Sequence, residues 1–198
     1  MRARMSATTP ERPSAAVLLI GDELLSGKIR DENGYFLATA LRARGVELIE
    51  ICTVPDDYDR IGNALLRLLG ESPVVFTSGG MGPTHDDLTM EAIARATGRP
   101  LQRDAQLANM LRTFYGERLT EEALTMADLP EGTCLRAPGG WPVLRLDLPA
   151  SFARPGTEEA DQARRIYILP GVPPLLATKF NLLADIDGEL PAGRPWVL

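Results

Sequence analysis

Hydrophobic and polar positions in the first half of the chain follow two patterns in turn. Three short apolar runs, bounded by glycine or proline, have the composition of strands buried on both faces. These runs are 15–21, 46–54 and 73–78. Each is followed by apolar residues at helical spacing, and these helical segments end near Gly45, Gly70 and Gly98. Three strand–helix units with short connections predict a parallel sheet with helices on its faces.

The pattern changes in the second half of the chain. After two further helical segments come three short predicted strands, and the last two of these are expected to pair as a hairpin. The predicted helices are 104–115, 121–127 and 173–183, and the predicted strands are 133–136, 143–148 and 165–169. A segment rich in Ala, Pro, Gly and charge, 149–164, is expected to be a mobile loop. The predicted fold class is α/β: a three-layer α/β/α domain with a mostly parallel central sheet and a small β-hairpin.

Length and composition are those of one globular domain. The chain has 198 residues, 44% of them hydrophobic and 24% charged, and we expect a flexible tail at 1–14 and one domain at 15–198. The formal charge of −6 argues against a general nucleic-acid binder and against binding to an anionic membrane. No apolar run is long enough to span a bilayer, and two cysteines cannot form a disulfide framework. These features predict a cytoplasmic protein.

Acidic residues follow each of the first three predicted strands. The pairs are Asp22 and Glu23, Asp56 and Asp57, and Asp86 and Asp87. Because ligands of open parallel sheets bind at the carboxyl ends of the strands, these carboxylates should share one crevice. Grouped carboxylates repel each other unless protons or a cation relieve them, and hard divalent metals prefer such oxygen ligands. The pattern therefore predicts a divalent cation.

A glycine-rich segment follows the third strand. Gly79, Gly80 and Gly82 would let backbone amides approach a ligand closely, and the next helix directs its N-terminus toward it. Amides for phosphate oxygens and carboxylates for a metal predict a nucleotide or pterin phosphate site. In the alternative interpretation the glycines only turn the chain, and Thr84 and Asp87 form a capping box. The usual dinucleotide and P-loop fingerprints do not fit this spacing.

Two further features are less specific. The segment Pro170-Gly171-Val172-Pro173 predicts a rigid turn that could form the opposite wall of a pocket. Trp141 and Trp196 are predicted to be packing or surface positions rather than stacking platforms for a base, because the chain is acidic.

Four segments together resemble the molybdopterin-binding domain. This domain is shared by the MoaB/Mog cofactor-biosynthesis proteins and the N-terminal parts of CinA proteins and eukaryotic FAD synthases. The matching segments are 20–27 with Asp31 and Asn33, 54–56, 79–89, and 169–173. Gly-Asp-Glu-Leu-Leu-Ser-Gly at 21–27 and Pro-Thr-His-Asp-Asp at 83–87 are most similar to the CinA and FAD-synthase branch. Many CinA proteins continue into an amidohydrolase domain, which we expect this chain to lack.

The resemblance implies a three-layer fold, a homo-oligomer (dimer or trimer), and a pocket for a phosphorylated pterin or nucleotide. In this family Asp56 and Asp87 match the catalytic acids, and the glycine segment matches the phosphate loop. The ligand contacts implied are Gly21, Asp22, Glu23, Gly27, Asn33, Gly79, Gly80, Gly82, Pro83, Thr84, Pro170, Gly171 and Pro173. The metal ligands implied are Asp56, Asp86 and Asp87.

Three functions are consistent with these residues. The first is hydrolysis of an ADP-containing pyrophosphate, such as ADP-ribose or FAD, with Mg²⁺, Mn²⁺ or Co²⁺. The second is molybdopterin binding or adenylylation in molybdenum cofactor biosynthesis. The third is a non-catalytic ligand-binding module, since Leu175 stands where the family commonly has glutamate.

Overall fold

The computed structural model describes residues 12–136, 141–156 and 160–193. Its strands are β1 (Ser14–Ile20), β2 (Glu47–Val54), β3 (Val74–Ser78), β4 (Leu101–Arg103), β5 (Asp128–Pro130), β6 (Thr133–Arg136), β7 (Val143–Leu148) and β8 (Arg164–Leu169). Its helices are α1 (Asp22–Leu25), α2 (Asn33–Ala43), α3 (Tyr58–Glu71), α4 (Thr89–Thr97), α5 (Ala105–Tyr115), α6 (Glu121–Leu124) and α7 (Pro173–Ala184). No helix in these ranges is long and apolar enough to cross a membrane.

The central sheet has the strand order β2-β1-β3-β8-β7-β6. β2, β1, β3 and β8 run parallel, whereas β7 is antiparallel to β8 and β6 is antiparallel to β7. The predicted mostly parallel sheet and the pairing of β7 with β8 are therefore confirmed. β4 and β5 form a separate antiparallel pair that the sequence did not predict, because three residues are too few to show a periodicity.

Two hydrophobic clusters cover the two faces of this sheet. Alternate residues of β1 point to opposite clusters, so that Leu18 belongs to one and Val17 to the other. The first cluster includes buried residues of α3, α4 and α5, and the second includes buried residues of α2 and α7. This arrangement confirms the three-layer prediction. It also explains the unbroken apolar run of β1, since every residue of that strand is buried.

Two segments differ from the predictions, one in its boundary and one in its packing. Ser14, placed at the end of the predicted tail, is the first residue of β1, and 1–11 lie outside the described residues. The segment 149–164 was expected to be a mobile loop. Instead, Phe152 packs against the first hydrophobic cluster, and the amide of Arg154 donates a hydrogen bond of 2.8 Å to the carbonyl of Gly70. This part of the segment is therefore held against the end of α3.

A buried ionic network fastens the segment after α7 to the antiparallel half of the sheet. The Glu189 side chain is only 2% exposed. Its Oε2 accepts hydrogen bonds from Nε of Arg136 at 3.0 Å and from Nη1 of Arg145 at 2.9 Å, and Tyr167 also contacts it. Burial alone would raise the pKa of Glu189, but the two guanidinium groups outweigh this effect and lower it.

Candidate functional site

The carboxyl ends of β1, β3 and β8 surround a cavity of about 560 Å³. Its walls include the first four residues of the glycine loop (residues 79–84), the start of α2 and the turn 170–173. Many of the predicted ligand contacts meet here. Those that line the cavity are Glu23, Asn33, Gly79, Gly80, Gly82, Asp87, Pro170, Gly171 and Pro173.

The other predicted site residues do not line this cavity. They are Gly21, Asp22, Gly27, Asp56, Pro83, Thr84 and Asp86. Several of them shape the surrounding backbone instead. The amide of Asp22 donates to Oδ2 of Asp56 at 2.9 Å, which joins the end of β1 to the end of β2. Asp57, next to Asp56, accepts a hydrogen bond from the amide of Arg60 and caps α3.

Gly79 lies where three strand ends approach one another most closely. Its φ is +108°, and a Cβ built on it would lie 2.1 Å from the carbonyl oxygen of Ile20. A Cβ on Gly171 would in turn lie 3.2 Å from Cα of Gly79. Only glycine allows this approach, so the loop must begin with a residue that has no side chain.

The glycine loop presents free amide groups. Thr89, the first residue of α4, donates from Oγ1 to the carbonyl of Gly79 at 2.8 Å and from its amide to the carbonyl of Gly80 at 3.2 Å. These two bonds fix the orientation of the carbonyl groups of Gly79 and Gly80. Within the described residues, the amides of Gly80, Met81 and Gly82 donate no hydrogen bond. Three consecutive amides of this kind can bind the oxygens of an anion such as phosphate.

Asp87 is held by Thr84. Both the amide and Oγ1 of Thr84 donate to Oδ2 of Asp87, at 2.8 and 2.6 Å. The proposed capping box is not formed, because α4 begins only at Thr89 with Leu88 as its N-cap residue. The pair instead braces the tight turn between the glycine loop and α4.

The remaining acids gather around Asp56. Asp56 is partly buried, and burial raises the pKa of its carboxyl group. The hydrogen bond from Asp22 lowers this pKa, while the nearby charges of Asp22, Glu23 and Asp86 raise it further. Asp22, Glu23 and Asp86 thus lie near enough to Asp56 for their charges to act on it, but of these four residues only Glu23 lines the cavity.

The three predicted metal ligands are not assembled as one preformed group. Asp86 lies among the charges that act on Asp56, whereas Oδ2 of Asp87 is taken by Thr84. Over 12–136, 141–156 and 160–193, no three His, Cys, Asp or Glu side chains lie close enough together to hold a metal ion.

Asn33 builds the opposite wall of the cavity. Its Nδ2 donates to Oγ of Ser78 at 3.0 Å and to the carbonyl of Gly171 at 2.6 Å, and Ser78 Oγ donates to the carbonyl of Pro170 at 3.2 Å. Because a carbonyl oxygen can only accept, these contacts fix the orientation of the buried amide. Asn33 thus connects α2, β3 and the turn 170–173, and because it also lines the cavity, its ligand contact stays a prediction.

Sequence reasoning missed the apolar part of the cavity. Trp141, predicted to be a packing or surface position, lines the cavity and also packs against the first hydrophobic cluster. Met81 and Met126 line the cavity with it. Nothing local in the sequence marks Trp141, because the antiparallel pairing of β7 with β8, which sets Leu144 opposite Ile168, brings it to this edge. Trp196 lies outside the described residues.

The structure is a three-layer α/β domain with a cavity at the carboxyl edge of its sheet. Residues 16–187 match the family model described as a probable molybdopterin binding domain. The chain therefore belongs to this family, and its relatives place it with the N-terminal domains of CinA-like proteins.

Two of these relatives are CinA-like proteins. The chain is 36% identical over 170 residues to one from Salinibacter ruber, covering 84% of this chain and 39% of that protein. It is 34% identical over 194 residues to one from Frankia casuarinae, covering 93% of this chain and 42% of that protein. A protein of Aeropyrum pernix is 36% identical over 175 residues, with 86% and 61% covered. The chain thus spans less than two thirds of the length of these relatives.

Solved structures agree with this placement. The crystal structure of the protein CinA from Thermoplasma acidophilum superposes with a TM-score of 0.74 at 31% identity, covering 87% of this chain and 96% of that one. The tungsten cofactor synthesizing protein MoaB from Pyrococcus furiosus superposes with a TM-score of 0.54 at 20% identity, covering 88% and 92%. The second likeness supports the fold alone.

Proposed function

We propose that this chain binds an ADP-containing pyrophosphate in the cavity and hydrolyses it with the help of a divalent cation. The observation that carries the proposal is the row of amides at Gly80, Met81 and Gly82, which have no acceptor among the described residues and line the same cavity as Asp87. A cavity of about 560 Å³ is within the size range of sites that bind nucleotide-sized ligands. We also expect the chain to act as a cytoplasmic homo-oligomer without nucleic acid.

Different residues around the cavity would bind the phosphates, pack against the ring of the ligand and act on the water. The amides of the glycine loop would bind phosphate oxygens, and their fixed positions would orient the scissile bond. Trp141 and the methionines beside it offer an apolar surface for the flat ring of the ligand. Asp87, already oriented by Thr84, keeps Oδ1 without a hydrogen-bond donor among the described residues and could act on a water molecule or a cation.

The carboxylates fit a hard cation that takes only a few protein ligands. Mg²⁺ is usually held by one or two carboxylates together with substrate phosphates and water, so a preformed three-residue group is not required. Asp56 and Asp86 would hold it, with Asp87 on the cavity side. When bound, a divalent cation supplies an activated water and offsets charge on the leaving phosphate.

The proposal predicts release of AMP. The chain should form AMP from ADP-ribose, FAD or NAD in the presence of Mg²⁺, Mn²⁺ or Co²⁺, measured by chromatography of the products. Asp87→Ala and Asp56→Asn should each lower the rate by about 100-fold or more, the scale of losing one group that stabilises charge at a reaction centre.

Asp57→Asn is the matched control for Asp56→Asn. Asp57 is adjacent to Asp56 but uses its carboxylate to cap α3, and asparagine caps a helix about as well as aspartate. Its rate should match the wild type. Absence of AMP with every pair of substrate and metal, or an undiminished rate for Asp87→Ala, would refute hydrolysis.

Two other functions each have one observation in their favour. The family match favours molybdopterin binding or adenylylation, which calorimetry with molybdopterin, ATP and Mg²⁺ would detect. Leu175 lines the cavity where related proteins commonly have glutamate, and this favours a non-catalytic binding module. Ligand binding without AMP release would identify a non-catalytic binding module.

A further inference from the structure

A second cavity adjoins the first. It has a volume of about 410 Å³ and shares a wall with the larger cavity, formed by Arg30, Asp31 and Glu32. Its other side is the outer face of α2, with Tyr35, Phe36 and Thr39. Tyr35 is 78% exposed, so its ring contributes little to the core and is available to a ligand.

Arg30 stands between the two cavities. Within the described residues it is the only basic side chain that lines the larger cavity, and it forms no hydrogen bond or ion pair there. Every other charged residue that lines either cavity is an aspartate or a glutamate. Because a guanidinium group is always charged and matches the geometry of phosphate, an unpaired arginine at this position suits an anionic group passing from one cavity to the other.

We propose that Arg30 binds a phosphate of a two-headed ligand whose second half lies in the smaller cavity against Tyr35. This inference rests on the proposed function and adds a second subsite to it, at which a ligand with an aromatic ring on each half gains contacts that a mononucleotide lacks. One nucleotide half occupies the larger cavity, with phosphate on the glycine loop. The bridging pyrophosphate then crosses the shared wall at Arg30, and the second ring stacks on Tyr35.

The test compares equilibrium binding of a dinucleotide and a mononucleotide. The probes are an NAD analogue with a methylene bridge between its phosphorus atoms, which cannot be hydrolysed there, and AMP, each titrated calorimetrically with Mg²⁺ into the full chain. The wild type should bind the analogue about 10-fold more tightly than AMP. Arg30→Gln should weaken binding of the analogue by about 10-fold, as expected for loss of a charge-assisted hydrogen bond. Tyr35→Ala should weaken it by about 5-fold, as expected for loss of ring stacking, and leave AMP binding unchanged.

Lys28→Gln is the matched control for Arg30→Gln. Lys28 is exposed, carries the same charge two residues earlier, and lines neither cavity. Its variant should bind the analogue as the wild type does. Equal losses for Arg30→Gln and Lys28→Gln would overturn the role of Arg30.

The remaining outcomes separate this inference from the proposed function. An equal effect of Tyr35→Ala on both probes, or a wild type that binds the analogue no more tightly than AMP, would overturn the two-headed ligand while leaving nucleotide binding intact. A wild type that binds neither probe would overturn nucleotide binding as well.

Discussion

Gly79→Ala is expected to destabilise the fold by about 4 kcal/mol or more and to abolish ligand binding. The added Cβ is bonded directly to Cα and would lie 2.1 Å from the backbone carbonyl oxygen of Ile20. Neither can move away as a flexible side chain could. The φ of +108° adds strain for any residue other than glycine. Relief would require β1 and β3 to separate at their carboxyl ends, which is where the cavity forms.

Urea unfolding measures this effect, with Gly27→Ala as the control. Gly27 also has a positive φ, +71°, but a Cβ there would meet nothing within 4 Å. Its substitution should cost only about 1 kcal/mol, the cost of a left-handed backbone in a residue with a side chain. If Gly79→Ala and Gly27→Ala lower the free energy of unfolding equally, close packing against Ile20 is not the reason that position 79 requires glycine.

Glu189→Gln is expected to lower the free energy of unfolding by about 3 kcal/mol at neutral pH. The substitution keeps the shape of the side chain but leaves Arg136 and Arg145 without their buried counter-charge. Because the pKa of Glu189 is lowered in the fold, its stabilising effect is complete above the pKa of the unfolded state. That effect should be lost as the pH falls through the lower pKa of the folded state, so the difference between wild type and variant should shrink in acid.

Glu50→Gln serves as the control in the same pH series. Glu50 pairs with Arg67 on the surface, where the two side chains are 34% and 45% exposed. Loss of an exposed pair should cost less than about 1 kcal/mol. A Glu189→Gln variant no less stable than Glu50→Gln would show that the buried network does not hold the segment after α7.

The parallel part of the fold could be predicted because its signals are local. β1 is buried on both faces and therefore has an unbroken apolar sequence, and proline or glycine ends the neighbouring strands. The position of the glycine loop was also predictable, since its glycines directly follow a buried strand at the edge where ligands of parallel sheets bind. The need for glycine at position 79 itself could not be predicted, because only the structure shows that Gly79 faces the carbonyl oxygen of Ile20.

The less predictable features depend on contacts between distant parts of the chain. Asn33 bonds to Gly171, 138 positions later, so no local pattern could assign its structural role. Trp141 reaches the cavity through the antiparallel pairing of β7 with β8, which sets the start of β7 beside the end of β8. Asp86 and Asp87 are adjacent in sequence but differ in environment, because Thr84 binds only the second.

We infer above all that the amides of Gly80, Met81 and Gly82 bind the phosphates of a nucleotide. A crystal structure of the chain with the methylene-bridged NAD analogue and Mg²⁺ tests this most directly. The predicted result is phosphate oxygens within hydrogen-bond distance of the amides of Gly80, Met81 and Gly82, with a ring beside Trp141. A ligand bound with its phosphates away from this loop, or an empty cavity at saturating ligand, would contradict it.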